Sequence, residues 1–326
     1  MHAIFYDRYG SPDVLRYEEV RNPIPADDEV LIRVRAAGVN PYDWHFMRGS
    51  PHLMRIMTGV RNPKDSRLGA DVAGVIEAAG RNVAQFKTGD SVFGICKGSF
   101  AEYACAAESK IAIKPENLTF EQAGAVGIAA LTALQGLRDK GKIQAGQKVL
   151  INGAAGGVGT FAVQIARSFG ADVTGVCSTR NAEMVRSIGA DHVVDYTRED
   201  VTQRGQRYDL FFDCIGNHSW RARLRTLNPK GIYVGVGGAS DSWSILSGLA
   251  KKAALSPFVS QKLVGFIAKV DKDDLTLLGD LMQSGKVTPV IDRCYSLRQT
   301  AEAIRYVEEG HARGKVVIRM EPVSEE

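Results

Sequence analysis

The chain has 326 residues, of which 44% are hydrophobic and 24% charged, and its formal net charge is +4. These values lie close to globular averages and exclude a chain that is disordered throughout. No run of about 18 apolar residues occurs, so we expect no membrane-spanning segment. The basic residues are too sparse for a nucleic-acid-binding face. The first residues lack the layout of a signal peptide and the five cysteines are scattered, so we expect a soluble cytoplasmic protein with reduced thiols.

The first third of the chain has the pattern of short β-strands. Residues 29–36 alternate between apolar and more polar positions, which is typical of a half-buried strand. Residues 71–78 form a second predicted strand, and a turn at 87–90 leads into a third at 91–95. Strands of this length separated by turns predict a barrel-like or sandwich-like module.

The pattern changes near residue 120. Thr119 followed by Glu121 and Gln122 predicts a helix start, and the helical pattern continues to about residue 140. Strands and helices then alternate, which predicts a parallel sheet with helices on both faces. The predicted strands are 148–152, 172–176, 192–195, 209–214 and 231–236, and the predicted helices are 157–169, 182–187 and 220–227. After about residue 265 the chain is helical again and ends in an apolar strand at 315–319.

This order of elements predicts an α/β protein with three stretches of chain. A β-rich domain begins at residues 1–122, a doubly wound domain is inserted at 123–262, and residues 263–326 return to the first domain.

The most specific motif is the glycine-rich segment at 148–159, which reads KVLINGAAGGVG. It joins an apolar strand to an amphipathic helix, which is the context that a pyrophosphate-binding turn requires. Small residues let the backbone approach phosphate oxygens, and the helix N-terminus offers amide donors and a positive dipole. We therefore predict dinucleotide binding, with phosphate contacts from Ala155, Gly156, Gly157 and Val158.

The end of the second strand of this domain indicates which dinucleotide binds. An acid there would bind the ribose hydroxyls of NADH, whereas an arginine accommodates the 2′-phosphate of NADPH. No acid occurs from Val173 to Asn181, and the segment carries Ser178 and Arg180. We predict NADPH, with these two side chains on the 2′-phosphate. The alternative is a polar loop in which Arg180 faces water.

The glycine-rich turn and three further segments resemble the medium-chain dehydrogenase/reductase superfamily. These segments are GADVTGVCS at 170–178, IGADHVVDY at 188–196 and GHARGKVVI at 310–318. They resemble most closely the zinc-free quinone oxidoreductase branch, which includes zeta-crystallin, and the resemblance covers nearly the whole chain. It implies a GroES-like catalytic domain with an inserted Rossmann domain, a cofactor between the two, and a homodimer.

Zinc alcohol dehydrogenases of this superfamily carry a cysteine ligand in a Gly-x-Cys-x-x-Asp segment and a histidine ligand in a Gly-His-Glu segment. Here the first segment, at 38–43, has Asn40 in the cysteine's place, and the second, at 68–72, contains no histidine. A catalytic zinc needs three protein ligands, so we expect no metal. Without a Lewis acid, the expected hydride acceptors are small quinones or α,β-unsaturated carbonyls, because their conjugation spreads the added charge.

The resemblance also implies roles for single residues. Tyr42 occupies the position of the proton-relay hydroxyl, so its phenol is the predicted donor to the acceptor oxygen; the alternative is that its ring only packs against the cofactor. Asn40 is predicted to orient the substrate or the nicotinamide ribose. Further cofactor contacts are predicted for Thr132, Tyr196, Gly235, Gly237, Phe266, Gly314 and Lys315.

Two rival functions stay open at this point. An enoyl-thioester reductase would need a channel for a carrier arm, and the basic residues of 46–68 are the feature that favours it. That segment is interpreted either as an adaptable lid for bulky or anionic substrates or as plain surface. The other rival is a protein that binds NADPH without turnover.

Overall fold

The computed structural model describes residues 1–236 and 260–320. The described chain divides into two compact units. The first contains residues 1–131, 270–285 and 289–320, and the second contains residues 132–236, 260–269 and 286–288. The predicted boundaries after residues 122 and 262 lie several residues earlier. A helix that runs from Gly127 to Gln135 continues across the first division, so no helix-breaking residue marks it in the sequence.

The first unit is built on a seven-stranded sheet with the order β14-β15-β3-β4-β5-β7, in which β6 also pairs with β3. Neighbouring strands run antiparallel except β14 and β15, which are parallel. Its strands are β3 (Glu29–Val39), β4 (Asp71–Ala79), β5 (Ser91–Ile95), β6 (Tyr103–Ala107), β7 (Ile111–Ile113), β14 (Ile291–Ser296) and β15 (Lys315–Arg319). A separate two-stranded ribbon consists of β1 (His2–Phe5) and β2 (Arg16–Glu19).

Strand β3 explains how this sheet buries its core. Val30, Ile32 and Val34 are at most 2% exposed, while the residues between them are partly exposed, as the alternating pattern predicts. From Ala36 to Val39 every residue is buried. Helices of this unit are α1 (Pro41–Arg48), α2 (Arg55–Thr58), α3 (Phe120–Gly124), the start of α4 (Gly127–Gln135), α8 (Lys272–Gln283) and α9 (Thr300–Glu308).

The second unit contains a parallel sheet of six strands with the order β10-β9-β8-β11-β12-β13. This is the strand order of the dinucleotide-binding Rossmann domain. Its strands are β8 (Lys148–Asn152), β9 (Asp172–Cys177), β10 (His192–Asp195), β11 (Tyr208–Asp213), β12 (Leu227–Gly235) and β13 (Lys262–Gly265), and its helices are α5 (Gly157–Ser168), α6 (Ala182–Ser187) and α7 (Trp220–Thr226). The predicted α/β architecture, a β-rich domain with an inserted doubly wound domain, is confirmed.

One predicted element is divided in the structure. The helical pattern from residue 119 to 140 forms α3, then α4, and then a π-helical turn over Gly136–Lys140. Thr119 caps α3, since its hydroxyl accepts a hydrogen bond from the amide of Gln122. At the start of the second helix, the Ile128 amide donates to a carboxylate of the sheet, Asp71 Oδ1, at 2.7 Å.

The helices were also compared with the requirements of a bilayer. Across residues 1–236 and 260–320, none combines the length and the apolar character needed to cross it.

Candidate functional site

The glycine-rich turn joins β8 to α5 in the second unit. A Cβ at Gly159 would lie 2.0 Å from the carbonyl oxygen of Gly153, so the turn closes this tightly because position 159 is glycine. Helix α5 has 12 residues. The amides of a helix's first turn have no carbonyl partner within the helix and, with the positive end of the helix dipole, favour anions. The predicted phosphate-binding residues lie in this turn and first helical residues: Ala155, Gly156, Gly157 and Val158.

The strand order of the second unit reverses between β8 and β11, where Asn152 lies opposite Asp213. Doubly wound sheets bind their ligands at this reversal, outside the carboxyl ends of the strands. Asp213 is fully buried and accepts hydrogen bonds from Asn152 Nδ2 at 2.9 Å, the Gly216 amide at 2.8 Å and the Tyr233 hydroxyl at 2.9 Å. The carboxylate therefore fixes the turn that follows β11. Sequence analysis missed this role, although an acid that ends an apolar strand just before a glycine was a usable signal.

A cavity of about 150 Å³ lies at the carboxyl ends of β8, β9 and β10. Its walls include Asn152, Val176, His218 and Tyr196, whose side chain is 60% exposed. The volume is below that of a pocket for a complete drug-sized ligand, so only part of such a ligand would fit inside it. The structure thus brings Tyr196, a predicted cofactor contact, to the same edge of the sheet as the glycine-rich turn.

The segment predicted to bind the 2′-phosphate follows β9. Arg180 is exposed and Ser178 is half-buried, with Asn181 Nδ2 donating to Ser178 Oγ at 3.2 Å. The parallel pairing of β10 with β9 also brings Asp195 opposite Cys177. Residues 173–181 contain no acid, but the neighbouring strand brings this one beside them.

Asp195 is held in its charged form. Its carboxylate accepts hydrogen bonds from the hydroxyls of Thr179 and Thr197, which lower its pKa below the usual value. Arg198 Nε lies 3.4 Å from Asp195 Oδ2 and partly offsets the negative charge. The environment of residues 178–180 is therefore less positive than the local sequence indicates.

The other predicted cofactor contacts of the second unit lie at several places. Thr132 is half-buried in α4, Gly235 ends β12, and Phe266 follows β13 with its ring centroid 5.8 Å from Lys140 Nζ. Gly237 lies outside the described residues.

Tyr42 is the second residue of α1 in the first unit. Its side chain is 42% exposed, and its ring packs on Phe46 with 4.1 Å between the centroids. Within the described residues its hydroxyl has no hydrogen-bond partner. Partial burial raises the pKa of the phenol above its usual value, and the carboxylates of Asp43 and Asp65 raise it further. Tyr42 therefore keeps its proton at neutral pH and can donate it to a ligand.

Asn40, by contrast, is 2% exposed and its amide group is occupied inside the protein. Its Nδ2 donates to Asp71 Oδ2 at 2.9 Å and to the Gly38 carbonyl at 3.3 Å. Its Oδ1 accepts from Lys315 Nζ at 2.5 Å. Asn40 was predicted to orient the substrate or the nicotinamide ribose, whereas both N–H groups of its side chain donate to other protein atoms.

Lys315 is also buried, at 3% exposure, and its ammonium lies 3.1 Å from Asp71 Oδ2. The preceding Gly314 has a φ of +84°, and a Cβ there would lie 2.3 Å from the Val290 carbonyl oxygen, so only glycine fits. Both residues were predicted to contact the cofactor. In the structure the Lys315 side chain binds Asp71 and Asn40 instead. No sequence motif predicted this buried cluster of three side chains.

Asp43 follows Tyr42 in α1 and is fully buried. Its Oδ2 accepts a hydrogen bond from the Asn40 amide at 2.8 Å. Burial raises the pKa of the carboxyl to about 7; the Asn40 amide opposes the shift, and the nearby Asp71 adds to it. Asp43 therefore carries a proton over much of the acidic range.

This pKa makes a prediction about stability. The folded protein holds the Asp43 proton up to about pH 7, whereas the unfolded chain releases it near pH 4. The stabilising contribution is therefore complete below about pH 4 and is lost as pH rises toward 7. Asp43→Asn removes this loss of stability. The Tm of the variant minus the Tm of wild type, measured by circular dichroism, should therefore be several degrees larger at pH 8 than at pH 5.

Glu183→Gln, at an exposed position on α6, serves as the control and should shift Tm equally at both pH values. A difference between Asp43→Asn and wild type that stays constant from pH 5 to pH 8 would contradict the raised pKa.

The basic segment from 46 to 68 is partly neutralised. Arg48 forms an ion pair with Glu308 through two hydrogen bonds, and Arg67 pairs with Asp65 at 3.0 Å. Arg55 donates to the carbonyls of residues 48 and 49 at 3.0 Å and stacks on the ring of Tyr9. Three of its arginines thus already bind groups of the protein, which favours the interpretation as surface over a site for anionic substrates.

We next compared the chain with known proteins. The model of the alcohol dehydrogenase GroES-like domain matches residues 26–116, and that of the zinc-binding dehydrogenase matches residues 188–318. The chain is 34% identical to the 2-methylene-furan-3-one reductase of Solanum lycopersicum, covering 99% of this chain and 80% of the relative. It is also 34% identical to the chloroplastic NADPH-dependent alkenal/one oxidoreductase of Arabidopsis thaliana, covering 98% and 79%.

A solved structure agrees with these relatives. The quinone oxidoreductase from Coxiella burnetii superposes with a TM-score of 0.86 at 29% identity, covering 98% of this chain and 99% of that one. The chain therefore belongs to the medium-chain dehydrogenase/reductase superfamily, in its quinone-oxidoreductase-like branch, and is an oxidoreductase whose second unit is a dinucleotide-binding domain.

Proposed function

We propose that this protein is an NADPH-dependent, zinc-independent reductase of quinones or α,β-unsaturated carbonyls. The observation that carries the proposal is the contrast between two neighbours on the first unit. Asn40, at the first ligand position of the zinc enzymes, is bound to a buried ammonium, while Tyr42 two residues later is exposed and retains its proton. A phenol donor thus stands where the related zinc enzymes combine a metal with a hydroxyl.

The residues at these positions do not fit a catalytic zinc. Such an ion needs three nitrogen, sulfur or carboxylate ligands and an open position. Asn40 offers an amide, and Asp71 is paired with Lys315, whose positive charge opposes a second cation at the same place. Among the described residues, no three His, Cys, Asp or Glu side chains are grouped to hold a metal ion.

The second unit suits a dinucleotide cofactor. The glycine-rich turn and the start of α5 would hold the pyrophosphate, and Tyr196 would line the adenosine end. Ser178 and Arg180 would bind the 2′-phosphate that distinguishes NADPH from NADH, since guanidinium pairs with phosphate through two hydrogen bonds. The reduced nicotinamide supplies a hydride when it is bound.

The task left to the protein is to stabilise the oxygen of the acceptor. When hydride adds to the β-carbon of an enone, the C=C electron pair forms the Cα=C bond of an enolate and the C=O electron pair moves to the oxygen. The Tyr42 hydroxyl would donate its hydrogen bond, and then its proton, to that oxygen, and solvent would restore the proton to the phenolate. A quinone acceptor would be stabilised in the same way at one of its oxygens.

The test is oxidation of NADPH by a 1,4-quinone and by an α,β-unsaturated ketone, with NADH in parallel and with a metal chelator present. We expect turnover that persists with the chelator and that prefers NADPH. Loss of activity with the chelator, restored by zinc, would overturn the proposal. Binding of NADPH without turnover of either acceptor would favour a thioester substrate or a non-catalytic role.

Two further proposals are a homodimer, which the family resemblance implies, and a cytoplasmic location, which the scattered cysteines favour. The Arabidopsis relative is named as chloroplastic, so location varies within the family.

A further inference from the structure

We propose that Lys315 and Asp71 are positioning residues for Tyr42: their buried ion pair grips the side chain of Asn40 and so fixes the first turn of α1. This inference rests on the proposed function, in which the Tyr42 phenol is the donor to the acceptor oxygen. The Asp71–Lys315 ion pair would then help to position a catalytic side chain, in addition to stabilising the fold.

The first support is the set of contacts around Asp71. Its Oδ2 meets Lys315 Nζ at 3.1 Å and Asn40 Nδ2 at 2.9 Å, while its Oδ1 accepts from the Ile128 amide at 2.7 Å. Asn40 in turn accepts from the same ammonium at 2.5 Å. Every pair of charged or polar groups in this triangle is within hydrogen-bond distance, so the three side chains hold one another in a single arrangement.

The second support is the space made for the Asp71 carboxylate. A Cβ at Gly38 would lie 2.8 Å from Asp71 Oδ2, and a Cβ at Gly127 would lie 2.2 Å from Asp71 Oδ1. Neither glycine has a positive φ, so their small size and not their backbone freedom is what the site uses. The backbone is thus shaped closely around this carboxylate from two sides.

The cluster reaches Tyr42 through the start of α1. Asn40 directly precedes the helix, its amide donates to Asp43 Oδ2 at 2.8 Å, and its carbonyl accepts from the Asp43 amide at 3.0 Å. Tyr42 lies inside this closed turn. Its ring packs on Phe46. The buried cluster of Asp71, Lys315 and Asn40, which we call the clamp, and this ring contact together determine where the hydroxyl points.

Energetics favour a positioning role over a purely stabilising one. A buried ion pair gains little net stability, because the loss of hydration of both charges offsets their attraction. The ion pair does hold Asp71 and Lys315 in one geometry. A fixed geometry matters for a proton donor such as Tyr42, because a small displacement of the donor strongly lowers the rate of the reaction. Asn40 then acts on the reaction through Tyr42, since both of its N–H bonds are used within the protein.

The experiment combines the clamp with Tyr42 in one double-mutant cycle. The clamp variant is Asp71→Asn/Lys315→Met, which removes both charges together and keeps an acceptor for the Ile128 amide. It is made alone and with Tyr42→Phe, and kcat is measured with NADPH and an enone. We expect the clamp variant to lower kcat about tenfold when Tyr42 is present and less than about twofold in the Tyr42→Phe background, with the KM for NADPH unchanged.

If the clamp variant lowers kcat by the same factor with Tyr42 and with Tyr42→Phe, or does not lower kcat at all, the positioning role is overturned while the proposed function stays intact. If Tyr42→Phe alone leaves kcat unchanged, the donor role fails and the positioning role falls with it. Should the double substitution not fold, Asn40→Ala gives the same test, because it leaves the ion pair and cuts its link to α1. It is expected to lose as much kcat, again only when Tyr42 is present.

Asp271→Ala provides the matched control. Asp271 precedes α8 in the same unit, and its Oδ1 accepts from the Asp274 amide at 3.1 Å. Loss of this cap should lower Tm, as loss of a helix cap generally does, without changing kcat. A comparable fall in kcat for Asp271→Ala would mean that the assay reports stability and not the position of Tyr42.

Discussion

Replacement of Arg180 by alanine is expected to raise the KM for NADPH by about tenfold to a hundredfold and to leave the KM for NADH within about twofold. The reason is that NADPH differs from NADH by the 2′-phosphate alone, and a charged hydrogen bond to that group contributes roughly 1.5–3 kcal/mol. Arg180 is exposed at the end of β9, where a Rossmann domain receives the ribose. Steady-state kinetics with both cofactors measures the effect directly.

Two variants separate a specific contact from a general effect of charge. Arg225→Ala removes an exposed arginine from α7 of the same unit and should leave both KM values unchanged. Asp195→Asn removes the carboxylate bound to Thr179 and should lower the KM for NADPH, because that carboxylate repels a neighbouring phosphate. Equal effects of Arg180→Ala on NADPH and NADH would refute the phosphate contact.

The Asp195 carboxylate also illustrates why part of the cofactor site could not be predicted. Four of the six strands of the second unit, β8 to β11, were predicted to within one residue, because buried apolar runs bounded by glycine and polar residues are local signals. Strand β12 begins four residues before its predicted start, and β13 was not predicted. The predicted strands at 148–152 and 192–195 have the same limits in the structure. Which residues then lie side by side depends on strand order and register, and these place Asp195 beside Cys177 across 18 positions of sequence.

The buried cluster of Asp71, Lys315 and Asn40 in the first unit was even harder to predict from the sequence. Asp71 and Lys315 are 244 positions apart in the sequence, and each stands at the start of an apolar strand. A lysine or aspartate there is also compatible with an exposed strand end. One signal was present: glycines at 38 and 127 follow no turn pattern, and both turn out to make room for Asp71. The roles that the resemblance implied for Asn40 and Lys315 gave no indication that the two side chains bind each other.

Replacement of Tyr42 by phenylalanine is expected to lower kcat with an enone by about a hundredfold, because a positioned proton donor typically contributes at least this factor. The ring and its packing on Phe46 are retained, so the KM for NADPH should stay within about twofold. Because the pKa of the phenol is raised above its usual value of about 10, wild-type kcat should show no loss from Tyr42 ionisation between pH 6 and pH 9.

The control for the loss of a phenol hydroxyl is Tyr103→Phe, at a half-buried position on β6 of the same unit, which should leave kcat unchanged. The alternative role of Tyr42, packing against the cofactor, makes the opposite prediction. If the ring only packs, Tyr42→Phe keeps full turnover and Tyr42→Ala raises the KM for NADPH. If the hydroxyl donates, Tyr42→Phe and Tyr42→Ala lose kcat to a similar extent, since both remove the same proton from the same place.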